Sequence, residues 1–265
     1  MRIQILGTAA AEGWPAVFCA CDTCVRARAA GGRNHRSRSS IQIDDIYKID
    51  LPPDTFHHVL CHGIDLSNLA HLFITHSHHD HFALSELVYT CPPFAHNLRH
   101  SPIQIYGNDT VTSALNSSFG NSNLPINVNT LEAFVPVQAG DLRFIPITAH
   151  HNPKEHCLNY VIESDSARVL YASDTGEYEQ PTLDFLSNLE FDLIISECTQ
   201  GTLPMPANSH MSFEAVLRLR DKIGPATRTI ITHFSHNMGH LHEEMEAIAN
   251  PEGVEVAYDG IVLEC

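Results

Sequence analysis

The stretch "ITHSHHDHF", Ile74 to Phe82, sets four histidines and one aspartate within nine residues, directly behind an apolar run. The run "HLFIT" reads as a β-strand, so His76, His78, Asp80 and His81 fall at a strand end. The same juxtaposition recurs along the chain: "LRFIPIT" is followed by His150 and His151, "RVLYAS" by Asp174, and "RTIIT" by His233 and His236. Four separate strands therefore end in candidate ligands. Strand ends at one edge of a sheet are rigid platforms, where groups distant in sequence converge.

Imidazole together with carboxylate suits zinc, manganese or iron. A tight turn after a strand sends alternate side chains to two neighbouring ions, one taking His76 and His78, the other Asp80 and His81. A lone histidine beside an apolar strand is more often a structural residue, but a cluster of this density implies a dinuclear metal site.

Further β-type runs are "RIQIL", "SSIQI", "IQIY", "LNYVIE", "FDLIIS" and "VEVAY", which brings the expected total to about ten strands. The clearest helical pattern begins near Ser212 and carries Phe213, Val216, Leu217 and Ile223 on one face until Gly224 and Pro225 stop it. The segment Asn116 to Asn129, "NSSFGNSNLPINVN", reads as a loop or lid. No repeat or linker divides the chain, so the expectation is one α/β (α+β) domain over residues 1–265.

A chain of 265 residues with 43% hydrophobic content can bury a large core. No apolar stretch reaches the roughly eighteen residues of a membrane span, and Met1 leads directly into "RIQILG", so neither insertion nor export is expected and a cytoplasmic home is the default. Fifteen basic against thirty-one acidic residues give a formal charge of −16, which repels a long nucleic acid. The basic run from Arg26 to Arg38, "RARAAGGRNHRSR", lacks aromatic partners and reads as a solvated loop with at most one arginine facing an anion.

Of eight cysteines, Cys19, Cys21 and Cys24 lie too close together to pair well with one another, and that spacing points to metal. Cys61, Cys91, Cys157, Cys198 and Cys265 are scattered and read as inert packing residues.

With "HSHHDH", "AHHN", "SDTG" and "THFSH" in place, nearly the whole chain resembles the metallo-β-lactamase superfamily. The resemblance implies a four-layer αββα sandwich with two metals at the sheet edges. It implies His76, His78 and His151 on one metal, Asp80, His81 and His233 on the other, and Asp174 bridging them. His150 is the rival to His151, which is preferred because the family usually places its third ligand immediately before a small polar residue, here Asn152.

The amino-terminal "LGTAAAEGWPAVFCACDTCVRARA" resembles the phosphoribosyl cyclic phosphodiesterases of the PhnP type. That likeness implies a structural zinc knuckle at 19–24, held by Cys19, Cys21, Cys24 and His236; three thiolates and one imidazole complete a closed tetrahedral site. The zinc would staple the first loop to the last strand. The likeness also places His210, just before the helix at Ser212, as the acid that protonates the leaving oxygen.

The expected function is a metal-dependent phosphodiesterase that hydrolyses a small cyclic phosphate, of the phosphoribosyl 1,2-cyclic phosphate or nucleoside type. Two divalent cations (Mn2+, Zn2+ or Ni2+) would generate hydroxide, with Asp80 and His210 counted as catalytic. The expected partner is a small-molecule phosphodiester, not a long nucleic acid or a membrane, and a homodimer stays open. Alternatives are a thioester or lactone hydrolase of the same fold, an RNA-processing nuclease, and a PqqB-like protein of cofactor biosynthesis. One departure stands out: where the family often has Ile-Asp-Ala-Gly, this chain reads "KIDLPPDTFHHVLCHGID". It keeps Asp50 and loses the glycine, so Leu51 to Asp65 is expected to reshape the pocket entrance. His57, His58 and His62 within it read as surface or packing residues, with a substrate contact left open.

Overall fold

The apolar runs fold into two mixed sheets in a computed structural model that describes residues 1–204 and 208–265. Strands β1 (Arg2–Gly7), β2 (Ser40–Ile43), β3 (Tyr47–Ile49), β4 (His71–Phe73), β5 (Ile103–Gly107) and β6 (Ile126–Thr130) build the first sheet in sequence order. The second contains β7 (Val137–Ala139), β8 (Leu142–Thr148), β9 (Leu158–Glu163), β10 (Arg168–Ala172), β11 (Leu193–Glu197), β12 (Arg228–Thr232) and β13 (Val254–Val256). The last strand, β14 (Val262–Glu264), returns to the first sheet beside β1.

Alternation within the strands explains the layering. Phe144, Ile162, Tyr171, Ile195 and Ile230 face the first sheet and meet Ile3, Ile5, Ile41, Ile43 and Phe73. Their neighbours Ile145, Val161, Leu170, Ile194 and Ile231 point the other way, onto α4 (Gln180–Leu186), α5 (Phe213–Ile223) and α6 (His242–Ala249). The outer face of the first sheet is covered by α2 (Thr55–His62) and α3 (Asp109–Phe119), with Val111 and Leu115 packed on Leu72, Ile74, Ile103 and Ile105. The result is an αββα sandwich. β10 to β13 run parallel and are covered on both faces, which is why they read as continuous apolar runs.

Four of these strands escape a reading by apolar pattern. β3, β7 and β14 have three residues each, and β6 is an edge strand with Asn127 and Asn129 in its middle. The reading of Asn116 to Asn129 as a loop or lid is therefore corrected: α3 runs to Phe119, and β6 pairs in parallel with β5 from Ile126 onward. An edge strand needs only backbone pairing on one side, which polar side chains do not prevent. Leu51 to Asp65 likewise contains α2, with His58 fully buried against Ser37 Oγ at 2.9 Å and His57 exposed. Cys157 and Cys198 are buried as packing residues, whereas Cys61 is exposed.

The sheets are joined at the edge that carries the candidate ligands. The Phe73 and Phe144 rings stack at 3.8 Å between centroids, Tyr160 donates its hydroxyl to the Ile74 carbonyl at 2.7 Å, and Leu158 N donates to Thr75 O at 2.9 Å. The residues just beyond β4 are thereby fixed to both layers. Among the described residues no helix is long and apolar enough to cross a membrane.

Candidate metal centres

The ends of β4, β8, β10 and β12 meet at this edge. His76, His78, His151 and Asp174 each present a ligand atom to a common point, and so do Asp80, His81, Asp174 and His233, with the atoms of each set within 4.8 Å of one another. Asp174 belongs to both sets and divides its oxygens between them. Its Oδ2 lies 3.7 Å from His76 Nε2 and 3.5 Å from His151 Nε2, while its Oδ1 lies 3.4 Å from His81 Nε2 and 2.5 Å from His233 Nε2. His78 Nδ1 sits 2.9 Å from His76 Nε2 and 3.1 Å from His151 Nε2. His150 is exposed and turns its Nδ1 to the Glu177 carbonyl, away from the cluster.

The backbone is bent to achieve this. Asp174 and His233 adopt φ of 42° and 56°, in the left-handed region that non-glycine residues rarely enter. Such conformations persist where the surroundings over-determine them, and here both lie at candidate ligand positions.

The donor set fits divalent cations. His81 Nδ1 is bonded to Asp50 Oδ2 at 2.7 Å, His233 Nδ1 to Thr199 Oγ1 at 2.8 Å, and His151 Nδ1 to the Ser209 carbonyl at 3.0 Å. With the outer nitrogen of each ring engaged, the Nε2 lone pair faces inward, the arrangement metal-binding imidazoles use. Among the described residues, His81 Nε2, Asp174 Oδ1 and His233 Nε2 have no hydrogen bond of acceptable geometry although all three are buried. Buried electron-rich atoms packed together without hydrogen bonds are stabilised by a cation between them. Burial drives His76 well below its ordinary range; at His81 burial acts in the same direction but is outweighed by Asp174, Asp50 and Asp80, which raise it. A divalent cation would supply the positive charge that a proton on His81 otherwise provides.

A second cluster lies beside the first. Cys19, Cys21 and Cys24 bring their sulfurs and His236 Nδ1 within 4.8 Å of one another, with Cys21 Sγ 3.3 Å and Cys19 Sγ 3.8 Å from that nitrogen. Cys21 precedes α1 (Asp22–Ala30) and Cys24 lies in its first turn. Backbone N–H groups of Ala16 and Cys21 donate to Cys24 and Cys19 sulfurs, both at 3.4 Å. The Cys21 thiol is pulled down to about 6, chiefly by the Cys24 backbone N–H and then by His236, whereas burial pushes Cys24 up to about 11. All eight cysteines are free.

Residues 51–234 match the sequence profile of the family described as "Beta-lactamase superfamily domain", more than half of the chain. The chain belongs to this superfamily. Its fold is similar to that of a diphosphatase from the PhnP family, with a TM-score of 0.81 at 23% identity over 100% of this chain and 97% of that one. Zn2+-bound PqqB from Methylobacterium extorquens follows at 0.79 and 15%, over 100% of both chains. The short form of human tRNase Z gives 0.70 and 17%, over 100% of this chain and 99% of that one. No curated protein matches the sequence.

Within this superfamily chain, His210 is the remaining imidazole at the site. Its ring lies 4.9 Å from that of His151 and stacks at 17° on His233 with centroids 5.8 Å apart. Its Nδ1 is 2.9 Å from Glu197 Oε1, a carboxylate at the end of β11 that is fully buried. Glu197 also accepts from the backbone N–H groups of Thr175, Thr199 and Met211 and from the Thr199 hydroxyl, at 2.6 to 3.1 Å. Burial works against a charged His210, but Glu197, then Asp174 and Asp80, outweigh it and push the imidazole up to about 9. Glu197 serves two rings, since the Thr199 hydroxyl that donates to it also meets His233 Nδ1.

Sequence reasoning assigns no role to Glu197, Thr199 or Asp50. The one available signal for Glu197 is its place directly after "FDLIIS", another strand end. Asp50 stands out in sequence only as a retained residue, and the structure shows its carboxylate on His81 and on the Thr75 backbone N–H at 2.8 Å.

The cysteine cluster yields a first expected result. Protein prepared without chelator should carry two ions at the histidine–aspartate site and one chelation-resistant zinc at the cysteines. Cys21→Ser should lose that zinc and lower the melting temperature by about 10 °C, since a structural zinc contributes folding energy directly. Elemental analysis and calorimetry check both, and unchanged values would exclude a structural zinc here.

Proposed function

We propose that the protein is a metal-dependent hydrolase of a small phosphodiester, with a cyclic phosphate of a sugar or nucleoside as substrate. The observation that carries the proposal is the pairing of two ligand sets through Asp174 with a carboxylate-held imidazole, His210, at their side. His76, His78 and His151 would hold one ion, Asp80, His81 and His233 the other, and Asp174 both. Bound divalent cations supply Lewis acidity toward a phosphate oxygen and lower the pKa of water. The chain's own groups do the rest. Glu197 fixes His210 through Nδ1 and favours its protonated form, which leaves Nε2 as the proton donor to the departing alkoxide. Thr199 and Asp50 hold His233 and His81 against rotation.

A small substrate is supported by the electrostatics. The net charge is −16, and all five arginines of the run from 26 to 38 are engaged within the protein. Arg26 pairs with Glu244, Arg33 with Glu246 and Arg38 with Asp54; Arg28 donates to Ala16 O, and buried Arg36 donates to Thr8 and Ala257 O. A basic track for polynucleotide backbone is not what this run forms. The fold similarity to a PhnP-family diphosphatase favours a diphosphate as the second reading.

The test is an assay of purified protein against cyclic phosphates, linear diesters, diphosphates and thioesters with Mn2+, Zn2+ or Ni2+. Opening of the cyclic phosphate to a monoester is the expected result. Turnover of thioester with none of any phosphate substrate would overturn the proposal.

A further inference from the structure

We propose that Glu155 is a positioning residue that sets the metal affinity of the three-histidine side of the site, without acting on the side formed by Asp80, His81 and His233. The inference rests on the two-ion reading above and begins from a difference among the five ligand imidazoles. Four have their outer nitrogen on an oxygen: His76 on Thr75 Oγ1 at 3.0 Å, His81 on Asp50 at 2.7 Å, His151 on Ser209 O at 3.0 Å and His233 on Thr199 Oγ1 at 2.8 Å. His78 is the exception. It points Nδ1 inward, and among the described residues its Nε2 meets only the Asn152 amide nitrogen at 3.5 Å. A bond of that length orients little, so the aim of the His78 ring depends on the backbone that carries it.

That backbone is clamped one residue earlier. Ser77, between the two ligands His76 and His78, donates its N–H to Glu155 Oε1 at 2.8 Å and its hydroxyl to Glu155 Oε2 at 2.7 Å. Glu155 is itself anchored: Asn108 Nδ2 donates to Oε1 at 2.9 Å and to the His156 carbonyl at 3.0 Å. Asn108 is buried and caps α3 by accepting from Val111 N at 2.9 Å, so the anchor is part of the fold. Glu155 also follows His151 in the same loop. One carboxylate therefore ties the turn bearing His76 and His78 to the loop bearing His151, and all three belong to one ion. The groups on the outer nitrogens of His81 and His233, Asp50 and Thr199, share no hydrogen bond with Glu155, although Asp50 also accepts from Thr75 beside His76.

The role is geometric, which predicts rescue by glutamine. In Glu155→Gln the new amide can keep its oxygen on Ser77 N and Asn108 Nδ2 and offer its NH₂ to the Ser77 hydroxyl, which accepts as well as donates. The experiment titrates the metal-free full chain with Zn2+ against a chromophoric chelator, with His78→Ala and His233→Ala identifying the two ions. Glu155→Ala should weaken the ion that is lost in His78→Ala by about 10- to 100-fold, leave the ion lost in His233→Ala and the cysteine zinc unchanged, and Glu155→Gln should stay near wild type. Wild-type affinities in Glu155→Ala, equal weakening of both ions, or a Glu155→Gln as impaired as the alanine variant would each overturn the assignment. Should Glu155→Ala fail to fold, Ser77→Ala, which removes one of the two bonds, must still weaken the same ion selectively. Failure of the two-ion reading has its own signature: His78→Ala and His233→Ala would then both titrate as wild type.

Discussion

Asp174→Ala is expected to abolish hydrolysis of any substrate the protein turns over, by about 10⁴-fold or more, and to lower the occupancy of both catalytic ions at once. Each ion is expected to contribute several kcal/mol to stabilising charge in the transition state, and every 1.4 kcal/mol or so is tenfold in rate. Asp174 is the group on which both depend. Its Oδ2 faces the His76 and His151 nitrogens and its Oδ1 faces those of His81 and His233. It is buried, and the surrounding imidazoles of His233 and His81 overcome the cost of burial to hold its carboxyl well below the usual range, so it is an anion throughout the working pH range. No other residue appears in both ligand sets among the described residues. Asp80 can supply charge to its own ion only. The measurement is metal content after gel filtration together with turnover. Full activity, or loss of one ion with the other held at wild-type occupancy, would remove Asp174 from the bridging position.

Why so much of this site was legible, and its supports were not, follows from the chemistry of the residue types. His76, His78, His81, His151 and His233 stand out as a group: any one of them alone would read as a structural histidine, but five at the ends of three strands reinforce one another. The supports use ordinary carboxylates and hydroxyls whose partners are remote: Glu155 meets Ser77 across 78 residues, and His233 meets Thr199 across 34. No local pattern marks a glutamate as the clamp of a distant turn. The fold divides in the same manner. β10, β11 and β12 are covered on both faces and carry consecutive apolar residues (Val169 and Leu170, Leu193 to Ile195, Ile230 and Ile231), so they could be read directly. β6 has a neighbour on one side only, and its pattern of Asn and Thr carried no such obligation.

His210→Ala is expected to reduce turnover by about 10² to 10⁴ while leaving every metal in place, the loss typical of removing a general acid. The ring is near the candidate ligands, stacked on His233, yet its Nδ1 is committed to Glu197; it belongs to neither of the two candidate sets that share Asp174 and groups instead with Glu197 and His233. Glu197 keeps more of the ring protonated at neutral pH than an isolated imidazole would be, because the carboxylate outweighs the effect of burial and raises it to about 9. The proton matters only as much as the leaving group needs it. With an alkoxide leaving group, expulsion without protonation is slow and the full defect should appear. With p-nitrophenolate, which departs as a stable anion, the defect should shrink towards wild type. A structural role for His210 predicts otherwise, since a disturbed His233 would slow both substrates alike and lower metal occupancy. Measuring the ratio of variant to wild-type turnover on activated and unactivated diesters, with metal content determined on the same samples, separates the two. Equal losses on both substrates, or loss of metal, would mean that the proton reaches the leaving oxygen from another donor.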